Sequence, residues 1–420
     1  MPTLATRSPG LKRRQIEAYL VAGCFSVCMS PVHGQTGGLS FPEDGGPING
    51  TAQAGQAAVA RDAQTAWLNP AGMTRLERPE FMVTLQPFNI GMEFNQTTGT
   101  SVVGTNGGDA GGWFPSGGLF LAAPVSDRWA FGFSITAPSG LALDYDNNWV
   151  GRYYTTRVQL VVLNIEPSVA FKINDNWSLG AGLDIQYANF EQDLAVNLPG
   201  PVDGSALISG DSWQVGFSLS VLWQPLETTR FGLRYRSEMD HSLSGDLVAL
   251  TATAPVDTSL LLPQSLTFSA YHDFNDTVAL LADIGWQNWS AFERTIIAID
   301  GGAGTQVEIP RNFKDTFGVG LGFHMRPAEN WLLMAGASYA SSAVSDADRS
   351  PDLPVDRQIR LSVGLEYEIN EAWTVGGNFT WIDLGANNLD FEANANQGRV
   401  TGFYDPANMY VLGIYGAYRF

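Results

Sequence analysis

The stretch "WSLGAGLDIQY" (residues 177–187) decides the fold. Trp177, Leu179, Ala181, Leu183, Ile185 and Tyr187 alternate with Ser178, Gly180, Gly182, Asp184 and Gln186. Successive side chains of a strand point to opposite faces, so one face here is apolar and the other polar. "WQVGFSLSVLW" (213–223), "FGVGLGFHM" (317–325) and "YVLGIYGAYRF" (410–420) repeat the pattern. These runs exceed the usual strand of a soluble protein, about five or six residues, and match the roughly 9–11 needed to cross a bilayer as a tilted strand.

Working outward, the alternation predicts fourteen strands, near 80–94, 113–123, 128–138, 159–173, 177–189, 212–224, 229–239, 265–273, 277–287, 313–325, 331–340, 358–369, 373–382 and 409–420. An even number suits a bacterial outer-membrane barrel. The connections alternate in length. Short turns such as "NDN" (174–176), "ND" (275–276) and "NE" (370–371) face long loops rich in Gly, Asp and Asn, as periplasmic and extracellular ends do. Trp129, Trp177, Trp331 and Trp373 follow short turns, and Tyr187, Trp286, Tyr339 and Trp381 lie at the far ends of the same faces. Eight residues at ~3.3 Å cover roughly 26 Å, or about 20 Å after tilting, close to the apolar band between two aromatic girdles. A soluble β-sandwich or propeller has no use for rings at that spacing. The expected fold is therefore an all-β, 14-stranded antiparallel transmembrane barrel.

Composition agrees. Only 15% of the 420 residues are charged, and the net charge of −19 provides no basic stripe for nucleic acid. Residues 1–34 read as a secretory signal peptide: Lys12, Arg13 and Arg14 precede apolar "AYLVAGCFSVCM" (18–29), and "VHG" (32–34) offers a cleavage site. "VAGC" (21–24) is the rival, a lipoprotein box that would leave Cys24 lipidated. Cleavage near Gly34 removes both cysteines, so neither a disulfide nor a thiolate metal site is expected in the mature chain. Enzymatic motifs are not found: there is no G-x-S-x-G elbow, H-E-x-x-H helix or phosphate-binding Lys loop, and His241, His272 and His324 are the histidines left. No cofactor and no metal are expected. "DYDNN" (144–148) reads as a solvated acidic loop.

Residues 35–78 hold too few large apolar side chains for a core of their own. A barrel of fourteen strands is too wide to be filled by wall side chains alone. The segment is therefore expected to form a plug (hatch) in the lumen, ahead of a barrel over 79–420. Its tight turn is Asn69, Pro70, Ala71, Gly72, with Pro70 fixing φ and Gly72 allowing positive φ. Ala-rich "AGQAAVA" (54–60) suits a short, slim helix.

The order of signal peptide, "GQAAVARDAQTAWLNPAGM" (55–73) and fourteen strands resembles the FadL/TodX (OMPP1-type) outer-membrane transporters of long-chain fatty acids and hydrocarbons. "NNWVGRYY" (147–154) and "IEPSVAFKINDNWSLGAGLDIQYANFE" (165–191) are similar to two further segments of that family. The resemblance implies that loops capture a hydrophobic ligand, which enters the lumen and leaves sideways through a gap at the third strand. Gly132 and Pro138 are the residues there that weaken pairing. It implies a mouth motif at Trp149, Gly151, Arg152 and Tyr153. The apolar segments 247–262 and 194–208 are expected to be loops lining the capture groove. A fatty-acid carboxylate needs a cation, and alternation places Arg234, Arg236 and Arg360 on polar faces, with Arg157 at the mouth; the alternative for each is an internal ion pair with Glu238, Glu366 or Glu368. Expected partners are the hydrophobic ligand, outer-membrane lipid and lipopolysaccharide, and the assembly machinery through the terminal aromatic Phe420. The chain is expected to be a monomer. A general aqueous porin or structural barrel is the alternative function.

Overall fold

The computed structural model describes residues 39–250, 252–299 and 306–420; the expected signal peptide and Cys24 lie outside the described residues. Nineteen strands are described, in one sheet: β1 (Glu80–Gln96), β2 (Gly112–Pro124), β3 (Trp129–Asp144), β4 (Arg157–Lys172), β5 (Trp177–Val196), β6 (Gly204–Leu226), β7 (Thr229–Arg236), β8 (Met239–Ala249), β9 (Ala252–Leu262), β10 (Ser265–Asp273), β11 (Val278–Gln287), β12 (Arg294–Ile299), β13 (Gln306–Pro310), β14 (Thr316–Ala328), β15 (Trp331–Ala340), β16 (Gln358–Glu368), β17 (Trp373–Asp383), β18 (Leu389–Phe391) and β19 (Val400–Arg419). Fourteen of them form an antiparallel wall, each paired with its neighbours. β1 pairs with both β2 and β19, which closes the ring. Closure gives every wall strand a partner on each side, as a hydrocarbon surround demands, although the β2–β3 ladder is cut short.

Burial is inverted relative to a soluble protein. Leu321 and Val215 are among the large apolar side chains that are exposed, at 63% and 60%, whereas Asp184 and Glu166 are fully buried. Aromatic rings form a belt near the short turns: Trp129 lies 4.7 Å from Phe171, Trp177 5.4 Å from Trp223, Trp331 4.5 Å from Tyr367 and Trp373 4.8 Å from Tyr418. At the other end Tyr187 packs on Trp213 at 5.1 Å.

Two expectations about the loops are corrected. Residues 247–262 lie mostly in strands that rise above the wall, and 194–208 holds strand ends at 194–196 and 204–208 around a loop at 197–203. β8 and β9 form a hairpin, β8 pairs with the upper part of β6, and β9 pairs with β12, itself paired with β13. Their apolar residues pack inward on an extracellular core, with Leu243, Leu260 and Leu262 buried, and that burial accounts for the composition.

β3 departs from the wall. It pairs with β2 only from Leu119↔Ile135 to Pro124↔Ala130. Above that, the β3–β4 register slips between Thr136 and Ser139, at Pro138. Ala137 and Leu141 through Leu143 are buried with the alternation lost, because this part of β3 has turned away from lipid on both faces. The edge that β2 leaves is taken by the start of the described chain. Ser40 bridges Ser139, Phe41 N–H donates to Pro138 O at 2.8 Å, and Gly140 N–H donates to Leu39 O at 3.2 Å.

Candidate functional site

The chain from Leu39 to Leu76 bonds to inward-facing groups all round the ring. On β17, Asn378 donates to the carbonyls of Gly45 and Gly46. On β11, Asp283 accepts from Gly55 N–H at 2.9 Å; on β10, Ser269 accepts from Ala57 N–H at 2.9 Å. Arg230 of β7 donates to the carbonyls of Ala58 and Val59 at 2.8 and 2.9 Å. Strand geometry provides the room: a Cβ at Gly232 would lie 1.7 Å from Ala57 O, and one at Gly336 would lie 2.0 Å from Thr51 O.

The Asn-Pro-Ala-Gly turn is the start of a 3-10 turn, Pro70–Arg75. Asn69 caps it, accepting from Ala71 N–H at 3.1 Å, while its Nδ2 donates to Ala57 O and Val221 O. Gly72 does not have positive φ, which corrects that expectation. It is needed for close packing, since a Cβ would sit 2.6 Å from Ala60 Cβ. Residues 54–60 form turns rather than a helix, because Ala52, Gln53, Gly55 and Ala60 all have positive φ.

Between this segment and the wall lies a cavity of about 170 Å³. It reaches from Pro138 and Ser139 at the β3 break, past Trp67, Arg234 and Arg236, to Gly285 and Gly318 on the far side. Arg236 lies over the Trp67 ring at 3.4 Å and donates to Glu166 Oε2 at 2.7 Å and Asp184 Oδ1 at 3.0 Å. Arg234 is buried 4.8 Å from the same ring, and among the described residues its Nε and Nη2 have no hydrogen-bond acceptor; Nη2 lies 3.7 Å from Glu166. A second, smaller cavity of about 40 Å³ lies toward the extracellular hairpins, lined by Leu39, Leu141, Leu160, Phe190, Leu260 and Phe292 among others. The Arg311–Asp352 ion pair, 2.8 Å, borders it. Burial raises the Asp352 carboxyl, but the charge and hydrogen bonds of Arg311 outweigh this and hold it below its ordinary range.

The other residues singled out in the sequence separate. Arg360 faces inward, but its Nε donates to Glu43 Oε1 at 2.7 Å and its Nη2 to Gln358. Arg157 sits on the outer face of β4, beside Glu191 and Asp193 on the outer face of β5, away from the lumen. Gly132 is still paired on both sides, with Ala122 and Ser168, below the β3 break; Pro138 lies at it. Trp149, Gly151, Arg152 and Tyr153 form a knot in the loop after β3. Trp149 stacks on Tyr145 at 3.8 Å, a Cβ at Gly151 would clash with the Trp149 ring, and Arg152 and Tyr153 both bond Asp203. Arg230 and Glu43 were not anticipated. Arg230 shares the parity of Arg234 and Arg236, which is the signal that marks it. Glu43 had no signal, because residues 39–53 have no periodicity.

A closed outer-membrane barrel, with a polar lumen crossed by its own N-terminal segment and one strand broken away from the wall, defines the class as an outer-membrane transport barrel. The chain belongs to the family described as outer membrane protein transport protein (OMPP1/FadL/TodX), whose model matches residues 33–420. It is 27% identical over 382 residues to the long-chain fatty acid transport protein of Escherichia coli O6:H1, covering 80% of this chain and 83% of that one. A FadL homologue from Pseudomonas aeruginosa superposes with a TM-score of 0.84 at 23% identity, covering 91% of this chain and all of that one. The Pseudomonas putida toluene transporter TodX gives 0.71 at 15% identity, covering 93% and 100%.

Proposed function

We propose that the chain carries hydrophobic small molecules, long-chain fatty acids or hydrocarbons, across the outer membrane, with residues 35–78 as a hatch that blocks an aqueous path. The extracellular apolar cavity receives the ligand, burial of apolar surface at about 25 cal/mol per Å² drives its capture, and the lumenal cavity holds it next. It then leaves sideways between β2 and the upper part of β3. One observation carries the reading: the lumenal cavity is bounded by the N-terminal segment on one side and opens toward Pro138, where the wall ladder fails. The fatty acid transport activity named for the Escherichia coli relative supports the substrate class. Arg234, with two nitrogens that lack an acceptor, is the preferred carboxylate partner, whereas Arg236 is already engaged by Glu166 and Asp184.

The chain acts as a monomer in this reading, which the closed β1–β19 ladder supports because the ring is completed within one chain. Phe420, exposed and 5.0 Å from Tyr418, supports its reading as the residue met by the assembly machinery. The outer aromatic ring supports contact with lipopolysaccharide.

The test is transport in proteoliposomes with oleate and toluene, together with planar-bilayer conductance. Uptake of either compound with low conductance, and higher conductance after deletion of residues 39–76, fits a hatched transporter. A large steady current from the intact chain, without uptake, fits a porin and ends the proposal.

A further inference from the structure

The wall ladder sets five inward-facing positions in one row: Arg234 pairs with Thr267, Thr267 with Gly285, Gly285 with Gly318, and Gly318 with Ala340. The row starts at the arginine with unaccepted N–H groups and then runs across four strand spacings with no side chain larger than threonine, an arc of roughly 19 Å.

The two glycines differ from the other lumenal glycines. In the row beneath, Gly232 receives Ala57 O, Ser269 and Asp283 bond Ala57 and Gly55, and a Cβ at Gly320 would lie 3.5 Å from Ala54 Cβ. Residues 54–57 therefore cover that row and form a floor. A Cβ at Gly285 would meet nothing within 4 Å among the described residues, and one at Gly318 would meet only Tyr339 O at 3.4 Å. Neither glycine has positive φ. Glycine weakens a strand interior and is found where a ligand or another backbone approaches closely. Here no backbone of the N-terminal segment comes within 4 Å of where a Cβ would lie, and both glycines line the cavity. At its edges the cavity carries four buried polar atoms without a hydrogen-bond partner among the described residues: Arg234 Nε and Nη2 and Arg236 Nε, all donors, and Gln53 Oε1, an acceptor.

We propose that Gly285 and Gly318 form a track for the tail of a linear anionic amphiphile whose carboxylate sits at Arg234, and that the bare track sets the longest unbranched chain the cavity admits. This rests on the transport reading above, with its carboxylate at Arg234, and adds to it the residues that gauge chain length.

The experiment measures binding of octanoate, laurate, palmitate and oleate to the detergent-purified full chain, comparing wild type with Gly318→Leu, Gly285→Val and the milder Gly318→Ala. Circular dichroism and octanoate binding check that each variant folds. The expected result is a Kd for oleate and palmitate at least tenfold weaker in Gly318→Leu and Gly285→Val, with octanoate unchanged within twofold and Gly318→Ala in between. Equal loss for every chain length, or no loss, overturns the length gauge while leaving transport standing. A wild type that binds none of the four acids but still takes up toluene removes the carboxylate substrate and the gauge. A wild type that binds and transports neither class removes the underlying reading as well.

Discussion

Arg360 on β16 and Glu43 in the N-terminal segment form an ion pair 2.7 Å long, with each side chain only 1% exposed. The two residues are 317 positions apart in sequence, and the pair ties the segment to the wall. Breaking a buried pair by removing one partner leaves an uncompensated charge and costs about 3–5 kcal/mol. Glu43→Ala is therefore expected to loosen residues 43–50. Hydrogen exchange of the Gly46, Asn49 and Ala52 amides should quicken by at least tenfold, and bilayer conductance should rise. Unchanged exchange would mean that the pair does not hold the segment.

Asn69 uses both ends of its side chain. Losing the cap to Ala71 costs about 1 kcal/mol, and leaving the buried Ala57 carbonyl without its donor adds about 1–3 kcal/mol. Asn69→Ala should lower the thermal midpoint of the barrel in detergent and open residues 55–75 to limited proteolysis. Asn69→Asp keeps the cap acceptor but turns a negative oxygen toward the Ala57 and Val221 carbonyls. It should do as much damage as alanine, and a harmless Asn69→Asp would reduce the residue to a helix cap.

The wall was legible because lipid outside and a polar lumen inside force a period of two on each wall strand, and the sequence holds fourteen runs of that kind. Above the membrane the constraint is lifted. Segment 247–262 and the two ends of segment 194–208 pair as strands there, but Pro255 and mixed small residues obscure the alternation, so the sequence alone reads as apolar loops. The lumenal arginines were legible by parity, yet parity says nothing about partners. Arg236 pairs with Glu166 and Asp184, and Arg360 with Glu43, rather than with Glu238, Glu366 or Glu368. Arg157 was placed at the mouth without its parity, which puts it outside. The break in β3 was legible only as a weak spot, because Pro138 marks where a ladder can fail, whereas the pairing of Leu39–Phe41 to the freed edge depends on a contact across the chain.

The Arg152–Asp203–Tyr153 knot makes the outer loops sensitive to acid. Partial burial pushes the Asp203 carboxyl up, but hydrogen bonds from Arg152 at 2.7 Å and Tyr153 at 2.9 Å outweigh this and hold it below its ordinary value. A carboxylate with a lower pKa folded than unfolded stabilises above the unfolded value, about 3.9, and loses that contribution as pH falls through the folded one. Loop 197–203 should resist protease at pH 7 and become susceptible below about pH 4, whereas Asp203→Asn should be susceptible at both. An identical acid response in the variant would assign the effect to another group.

The β2–β3 ladder ends at Leu119↔Ile135, so Gly118 and Thr136 are the first pair that the wall does not make. If ligand leaves through the gap above them, closing it should block exit but not entry. Both cysteines of the sequence, Cys24 and Cys28, precede residue 35, so in a chain produced from Gln35 onward Gly118→Cys with Thr136→Cys can be oxidised without competing thiols. The two positions come next after the last pair of the ladder, and the bond would extend that ladder by one pair once the Phe120 ring makes room for a Cβ at 118. The oxidised double variant should still bind oleate in detergent with a Kd within threefold of wild type, yet lose most of its uptake in proteoliposomes. Reduction should restore uptake, and each single variant should behave as wild type. Full uptake with the staple closed would place the exit elsewhere in the wall or through the hatch itself. Loss of binding together with uptake would instead show that the staple deforms the cavity, since Pro138, which lines it, is only two residues from Thr136.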